Sequence, residues 1–283
     1  MRVSIGLTNY SWPEGPGRLA DVAKAADDGG VDTLWVPDHL LQADPTATPD
    51  QREMYEAYTT LGYLAAHTGR VRLGTMVTAV TFREPALLVK AVTTVHALSG
   101  GRAWLGIGAG YHEEEAHAMG VPLPPVAERF DRLEETLRIA RHMWSGDESP
   151  YEGTHYHLAR PTSHPRPETR PRVLIGGTGE RRTLPLVARY ADACNVFDIP
   201  DDGHTVRRKL SVLARECEKI ARPYEEIEKT LSTRLNPGES ATSFTRRCEQ
   251  AAAWGIDHAV VITAGPWTPA NLKTLTTAVR QLR

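Results

Sequence analysis

Asp38 and His39 stand directly after an apolar run in the segment TLWVPDHLL, residues 33–41. An acid and an imidazole are costly to bury without partners, so a buried strand that ends in them is expected to deliver them to a site. Histidine there can move a proton near neutral pH; the plainer reading is a helix-capping Asp and a loop His. Two glycine-rich stretches could complete such a site. GIGAGYHEEE (106–115) places Gly106, Gly108 and Gly110 at alternate positions. Such glycines in a strand mark a bulge or a place where a flat ligand presses on the backbone. The dinucleotide fingerprint would need another glycine at 111, and that residue is Tyr111. IGGTGERRTL (175–184) sets Gly176, Gly177 and Gly179 before a helix. Free amides at a helix start make an anion site, to which Arg181 and Arg182 add charge. A tight turn with solvated arginines is the competing reading.

HEEEAH (112–117) has the composition of a metal site but not the spacing. A zincin needs histidines four apart, whereas His112 and His117 are five apart and, at about 100° per residue, point apart. The acidic run reads as a solvated helix start favoured by the dipole, and no metal is expected. The histidines of GTHYHLARPTSHP (153–165) have no Cys or carboxylate cluster beside them and read as solvated loop residues. The chain has neither a G-x-S-x-G elbow nor a P-loop lysine. Nothing singles out a carboxylate pair for glycoside hydrolysis.

The elements that must position these residues follow from a hydrophobic period that switches between strand and helix. Strands are expected at 3–7, 31–36, 71–77, 102–108, 172–177, 192–197, 228–235 and 257–263. Helical patterns follow each, including a strongly amphipathic one at 127–144. Residues 146–171 interrupt the rhythm with many Pro, Gly and His, and YEGTHYHL (151–158) reads as a hairpin inside an insertion. Eight strand–helix pairs in 283 residues predict an α/β (β/α)₈ TIM barrel, with the insertion between the helix after the fourth strand and the fifth strand. An open doubly wound sheet is the alternative. No linker divides the chain, so residues 1–283 are expected to form a single domain. The barrel answers the first question: Asp38 and His39 would line the mouth, where barrel active sites lie.

Bulk properties exclude other classes. A formal net charge of -2 gives no field for nucleic acid or an anionic membrane. No apolar run is long enough to span a bilayer, and the N-terminus lacks a signal-peptide core. Cys194, Cys217 and Cys248 are widely spaced and odd in number, which fits a reducing cytoplasm; Cys217 and Cys248 are expected in the core.

Taken together, the strand ends resemble the bacterial luciferase-like flavin and deazaflavin oxidoreductases, in the coenzyme F420-dependent branch. The resemblance rests on VPDHL (36–40), on LGTMVTAVTFREPALLVKAVTTVHALSGGRAWLGIGAGYHEEEAHAMG (73–120), on RFDRLEETLRI (129–139), on YEGTHYHL and on PRVLIGGTGERRTLPLVARYADACN (171–195). It implies a deazaflavin ring lying in the barrel mouth. It also implies a non-prolyl cis peptide at Met76–Val77, bulging against the ring to bend it, with Thr78 beside it. Ala109, Gly110 and Tyr111 would line the cofactor, and Gly176, Gly177, Thr178 and Gly179 would hold its phosphate. His39 would face the reactive ring carbon or the substrate and move a proton. Asp38 would orient the loop or contact the ring's polar edge.

Tyr111 departs from the family's sugar-phosphate dehydrogenases, which carry an acid there, so glucose 6-phosphate oxidation is disfavoured. Tyr111 would donate a hydrogen bond or proton, or stack. Asn9 and Trp12 are further mouth candidates, with a core Trp an equal alternative. The expected activity is hydride transfer between deazaflavin C5 and a small organic substrate, by a cytoplasmic homodimer. The alternative is an FMN-dependent monooxygenase fed by a separate reductase. A non-catalytic flavin-binding barrel and a cofactor-free lyase or isomerase are the remaining readings.

Overall fold

The computed structural model describes residues 1–283. In chain order the first half runs β1 (Arg2–Gly6), α1 (Arg18–Asp28), β2 (Thr33–Val36), α2 (Ala57–His67), β3 (Arg72–Thr75), β4 (Thr78–Ala79), α3 (Pro85–Leu98), β5 (Ala103–Gly108), α4 (Glu113–Met119) and α5 (Val126–Ser145). The remainder is β6 (Tyr151–Glu152), β7 (His157–Leu158), β8 (Arg172–Gly176), α6 (Thr183–Tyr190), β9 (Ala193–Phe197), α7 (His204–Lys219), β10 (Glu228–Arg234), α8 (Ala241–Ala253), β11 (His258–Ile262) and α9 (Pro269–Gln281). A short 3₁₀ turn precedes β10.

The strands pair in parallel in the order β3-β2-β1-β11-β10-β9-β8-β5-β4, and β3 also pairs with β5. That last pairing closes the sheet into a (β/α)₈ barrel. β4 continues β3 past a break and pairs with the far end of β5. The only antiparallel pair, β6 with β7, forms the hairpin of the insertion.

Barrel strands are covered on both faces and so read as unbroken apolar runs; β2 is buried at every position. Inside the barrel, Trp35, Trp104, Leu174, Ala193 and Val260 form a small cluster, and Met76 and Val77 pack on it. Trp35 and Trp104 meet edge to face at 5.8 Å. They need Gly74, where a side-chain carbon would lie 2.6 Å from the Trp35 ring. A larger core of 62 buried residues fills the space between strands and helices. Cys194, Cys217 and Cys248 are all buried there or in the barrel wall.

One local expectation is corrected, and two helix starts are fixed by the structure. The third strand is not continuous over 71–77, because the chain breaks at a cis peptide between Met76 and Val77. The helix after β2 starts at Ala57, where the Glu56 side chain accepts from the Thr59 amide and caps it. Residues 180–182 belong to a turn rather than to the helix, which begins at Thr183.

Candidate active site at the barrel mouth

The loop after β2 carries Asp38 and His39, and the structure separates their roles. Asp38 is buried, its side chain 1% exposed, and both carboxylate oxygens are taken by Arg83: Nη1 to Oδ2 at 2.6 Å and Nη2 to Oδ1 at 3.1 Å. The Arg83 guanidinium also lies 4.8 Å from the centre of the Tyr58 ring and pairs with Glu56. Desolvation works against the Arg83 charge, but the bonds to Asp38 outweigh it and raise its pKa. Asp38 therefore fastens the loop to the segment before α3; it does not offer a free oxygen to a ring edge.

His39 is only partly buried, its side chain 18% exposed. Its Nδ1 lies 2.8 Å from Oε2 of Glu115. Nε2 points towards the Tyr111 hydroxyl, 3.4 Å away. Glu115 is buried, with its side chain 1% exposed. Its other oxygen accepts the amides of Leu40 (2.6 Å) and Leu41 (2.9 Å). Burial raises the Glu115 pKa, but these amides and His39 more than offset it, and the net shift is downward. Glu115 thus holds a charged carboxylate against one nitrogen of His39 and leaves the other for the mouth.

The acidic run is mainly solvated, as expected, with Glu115 the exception. Glu113 and Glu114 are exposed, but the α4 helix turns Glu115 inward beside Ala116. His112 orders that turn by accepting the Glu115 amide at Nδ1, 3.1 Å away. Tyr111 is 72% exposed, with its ring edge-on to His39.

The bulge after β3 carries Met76 and Val77, both partly exposed. Behind it, Thr78 is buried, and its hydroxyl meets Tyr58 Oη at 2.7 Å and Thr75 Oγ1 at 3.2 Å. Thr78 supports the bulge and does not line the opening. The strand glycines also find partners within the protein. A carbon on Gly106 would lie 1.7 Å from the Thr75 carbonyl oxygen, and one on Gly108 would lie 3.0 Å from Val77. They admit neighbouring strand and bulge, not a flat ligand. Ala109 and Gly110, just beyond β5, are partly exposed at the rim.

Gly176 to Gly179 form the turn between β8 and α6. Val77 reaches it: a carbon on Gly176 would lie 2.9 Å from the Val77 methyls. Gly177 takes φ +103°, a conformation that favours glycine. The amides of residues 177–182 donate to no atom of the protein. A run of free amides on a turn entering a helix is the architecture of an anion cradle. The bulge and the cradle touch through Val77 and Gly176, and His39 follows another strand of the same barrel, so all three lie at the C-terminal end of the strands.

Trp12 and Asn9 are buried. Trp12 donates Nε1 to the Trp267 carbonyl at 2.9 Å, and Asn9 binds Gln51 and Asp44. Both are tied into the loop network rather than presented to the mouth. Sequence reading missed Glu115, Arg83 and Tyr58.

The luciferase-like monooxygenase family profile matches residues 2–275. Among curated relatives, an F420-dependent glucose-6-phosphate dehydrogenase of Kineococcus radiotolerans is 34% identical over 226 residues, 78% of this chain and 64% of the relative. One of Amycolatopsis mediterranei is 32% identical over 242 residues, 83% of this chain and 69% of the relative. The match to the Kineococcus protein thus spans less than two thirds of that protein's length. Among solved structures, an F420-dependent secondary alcohol dehydrogenase in complex with an F420-acetone adduct superposes with TM-score 0.82 at 17% identity, each chain covered in full. A monooxygenase from Streptomyces bottropensis superposes with TM-score 0.79 at 17% identity, covering 99% of this chain and 97% of that one. No helix is long and apolar enough to cross a membrane.

Proposed function

The chain belongs to the luciferase-like monooxygenase family, and from that premise we propose that it is a coenzyme F420-dependent oxidoreductase. It would move a hydride between the deazaflavin and a small organic substrate. The observation that carries this reading is that three features lie together at the C-terminal end of the barrel strands: the Met76–Val77 bulge against the glycine cradle at 176–179, and the His39–Glu115 pair. The curated relatives named as F420-dependent dehydrogenases favour F420 over FMN.

The residues present fit the cofactor. Free amides at 177–182 suit a phosphate group, with no side-chain carbon at Gly177 and Gly179 to obstruct it. Met76, Val77, Ala109 and Gly110 would hold the ring. When bound, the deazaflavin supplies the hydride-carrying carbon.

The protein's part is binding, orientation and proton management. His39 Nε2 gives or takes the proton of the substrate oxygen or nitrogen. Glu115 holds Nδ1, which fixes the ring's rotation and turns Nε2 towards Tyr111. Tyr111 contributes a hydroxyl beside Nε2, at the outer edge of the mouth. Asp38 acts through Arg83 by keeping the loop in place. An acid at 111 is missing, which argues against glucose 6-phosphate as the substrate despite the relatives' activity. Glu115 supplies a carboxylate beside His39 from a different place. We take the protein to be a single-domain cytoplasmic enzyme that works as a homodimer.

The test is anaerobic mixing of enzyme and reduced F420 with a panel of ketones, imines and activated alkenes. Oxidation of F420 without O₂ is the expected result. Turnover that requires O₂ and reduced FMN from a separate reductase would establish the monooxygenase reading instead.

A further inference from the structure

Arg234 ends β10, and its guanidinium has no partner in the protein. The residue is partly buried, yet its side chain makes no hydrogen bond or ion pair; only its carbonyl is engaged, by Nη2 of Arg247 at 3.0 Å. The acids of the adjoining loops are taken on the outer face. Arg247, from α8, pairs with Glu239 at 2.9 Å, lies 3.7 Å from Asp198 and donates to the Thr233 hydroxyl at 2.6 Å. Successive residues of a strand face opposite ways, so Thr233 faces α8 and Arg234 faces the barrel interior.

The strand register agrees. Arg234 pairs with Ile262, and Ser232 with Val260, a member of the interior cluster of Trp35 and Trp104. Ile262 reaches inward beside Gly6, where an added carbon would lie 2.9 Å from its Cγ2. Phe197 ends β9 and pairs with Ser232, in step with Ala193 of the same cluster; it is 53% exposed. Arg234 thus stands between strands that end in an inward Phe197 and an inward Ile262. Its strand also lies opposite the bulge. Strands β2, β1 and β11 separate β10 from β3 on one side, and β5, β8 and β9 separate it from β4 on the other. An unpaired cation flanked by apolar groups therefore faces the Met76–Val77 bulge across the C-terminal end of the barrel.

We propose that Arg234 is a specificity-determining residue, which pairs with a carboxylate of the substrate while the substrate's apolar body lies against Phe197 and Ile262. The substrate class is then a carbonyl compound or activated alkene that carries a carboxylate on an apolar frame. A guanidinium matches a carboxylate both in charge and in its two-pronged geometry. A phosphate monoester carries about −1.5 to −2 at neutral pH, more than one arginine answers. A cation that is partly desolvated and unpaired in the free protein favours a ligand that brings the missing charge. The assignment to a substrate rests on the oxidoreductase reading; the pairing with a carboxylate does not.

The experiment compares wild type, Arg234→Gln and Arg234→Lys, with the aryl keto acid benzoylpropionate and its methyl ester as probes. Calorimetry measures the binding of each probe with and without oxidised F420, and steady-state kinetics measures their reduction by reduced F420. Wild type should prefer the acid to the ester in both. Arg234→Gln loses a charge-assisted hydrogen bond, so both preferences should fall about tenfold or more, the kinetic one through KM rather than kcat. Arg234→Lys keeps the charge without the fork and should fall between; it serves if the Gln variant does not fold. Because the Arg234 side chain makes no bond within the protein, the Gln variant should melt as wild type does. If wild type binds acid and ester alike, or if Arg234→Gln keeps either preference, the proposal is overturned. The binding measurement decides alone if neither probe is turned over. An Arg234-dependent preference for the acid in a protein that binds no F420 would remove the cofactor reading and leave the carboxylate site standing.

Discussion

His39 and Glu115 meet at 2.8 Å although 76 residues separate them. One carboxylate oxygen fixes the imidazole and the other pins the backbone that follows it, at Leu40 and Leu41. Glu115→Gln would keep the shape and lose the charge. We expect turnover of reduced F420 to fall about ten- to a hundredfold in kcat, with KM nearly unchanged and cofactor binding retained. His39→Ala should cost more, on the order of 10²–10⁴ in kcat, the range for removing a general acid–base group. A His39→Ala variant with wild-type turnover would move the proton transfer elsewhere, with Tyr111 next in line.

Asp38 and Arg83 make a bidentate pair with the carboxylate side chain 1% exposed. Breaking a buried pair leaves one charge uncompensated and costs about 3–5 kcal/mol. Arg83→Met should therefore lower thermal stability by several degrees or more and loosen the loop that bears His39. Urea denaturation checks the first effect. If Arg83→Met is as stable as wild type, Asp38 has another partner and the assignment of its role is wrong.

Gly106 and Gly108 are two residues apart and should respond differently to alanine. At Gly106 the added carbon meets a backbone carbonyl at 1.7 Å, which cannot move without the strand. We expect Gly106→Ala to fold poorly or lose more than about 3 kcal/mol. At Gly108 it meets the Val77 methyls at 3.0 Å. Gly108→Ala should fold, shift the bulge and weaken cofactor binding. Circular dichroism melting and F420 titration separate the two outcomes.

Acid stability should depend on the opposite end of the barrel. Glu228 pairs there with His258, at 2.6 Å, and with Arg2 and Arg172; Asp32 pairs with Arg72. Burial raises both carboxyl pKa values, but His258 and the arginines more than reverse this, and both are lowered in the folded state. A lowered carboxylate contributes stability above its unfolded pKa, about 4, and loses it as pH falls through the folded value. Stability measured from pH 6 downward should decline steeply below pH ~4. In Glu228→Gln the decline should be shallower and the neutral-pH stability lower. An unchanged pH profile in this variant would remove Glu228 from the account.

The barrel was legible because each of its strands is a short apolar run closed by a turn, a signal local to a few residues. Its glycine turn and the Asp38–His39 step were legible for the same reason. What escaped was long-range. In a seven-residue helix such as α4 the period is too short to show that Glu115 faces in while Glu113 and Glu114 face out. Only the adjacent Ala116 hinted at an inward side. Arg83 and Tyr58 sit in ordinary amphipathic surroundings, and their convergence on Asp38 and Thr78 depends on how the first turn of α2, β4 and the loops after β2 and β4 pack. Gly106 and Gly108 were visible as glycines, but the sequence could not tell a ligand's approach from that of a neighbouring strand.

The most direct test of the central claim is equilibrium titration of the purified protein with oxidised coenzyme F420 and with FMN side by side. The account predicts saturable F420 binding, lost on Gly177→Val, with FMN bound far more weakly. Tight FMN binding without F420 binding, or binding of neither, would contradict it.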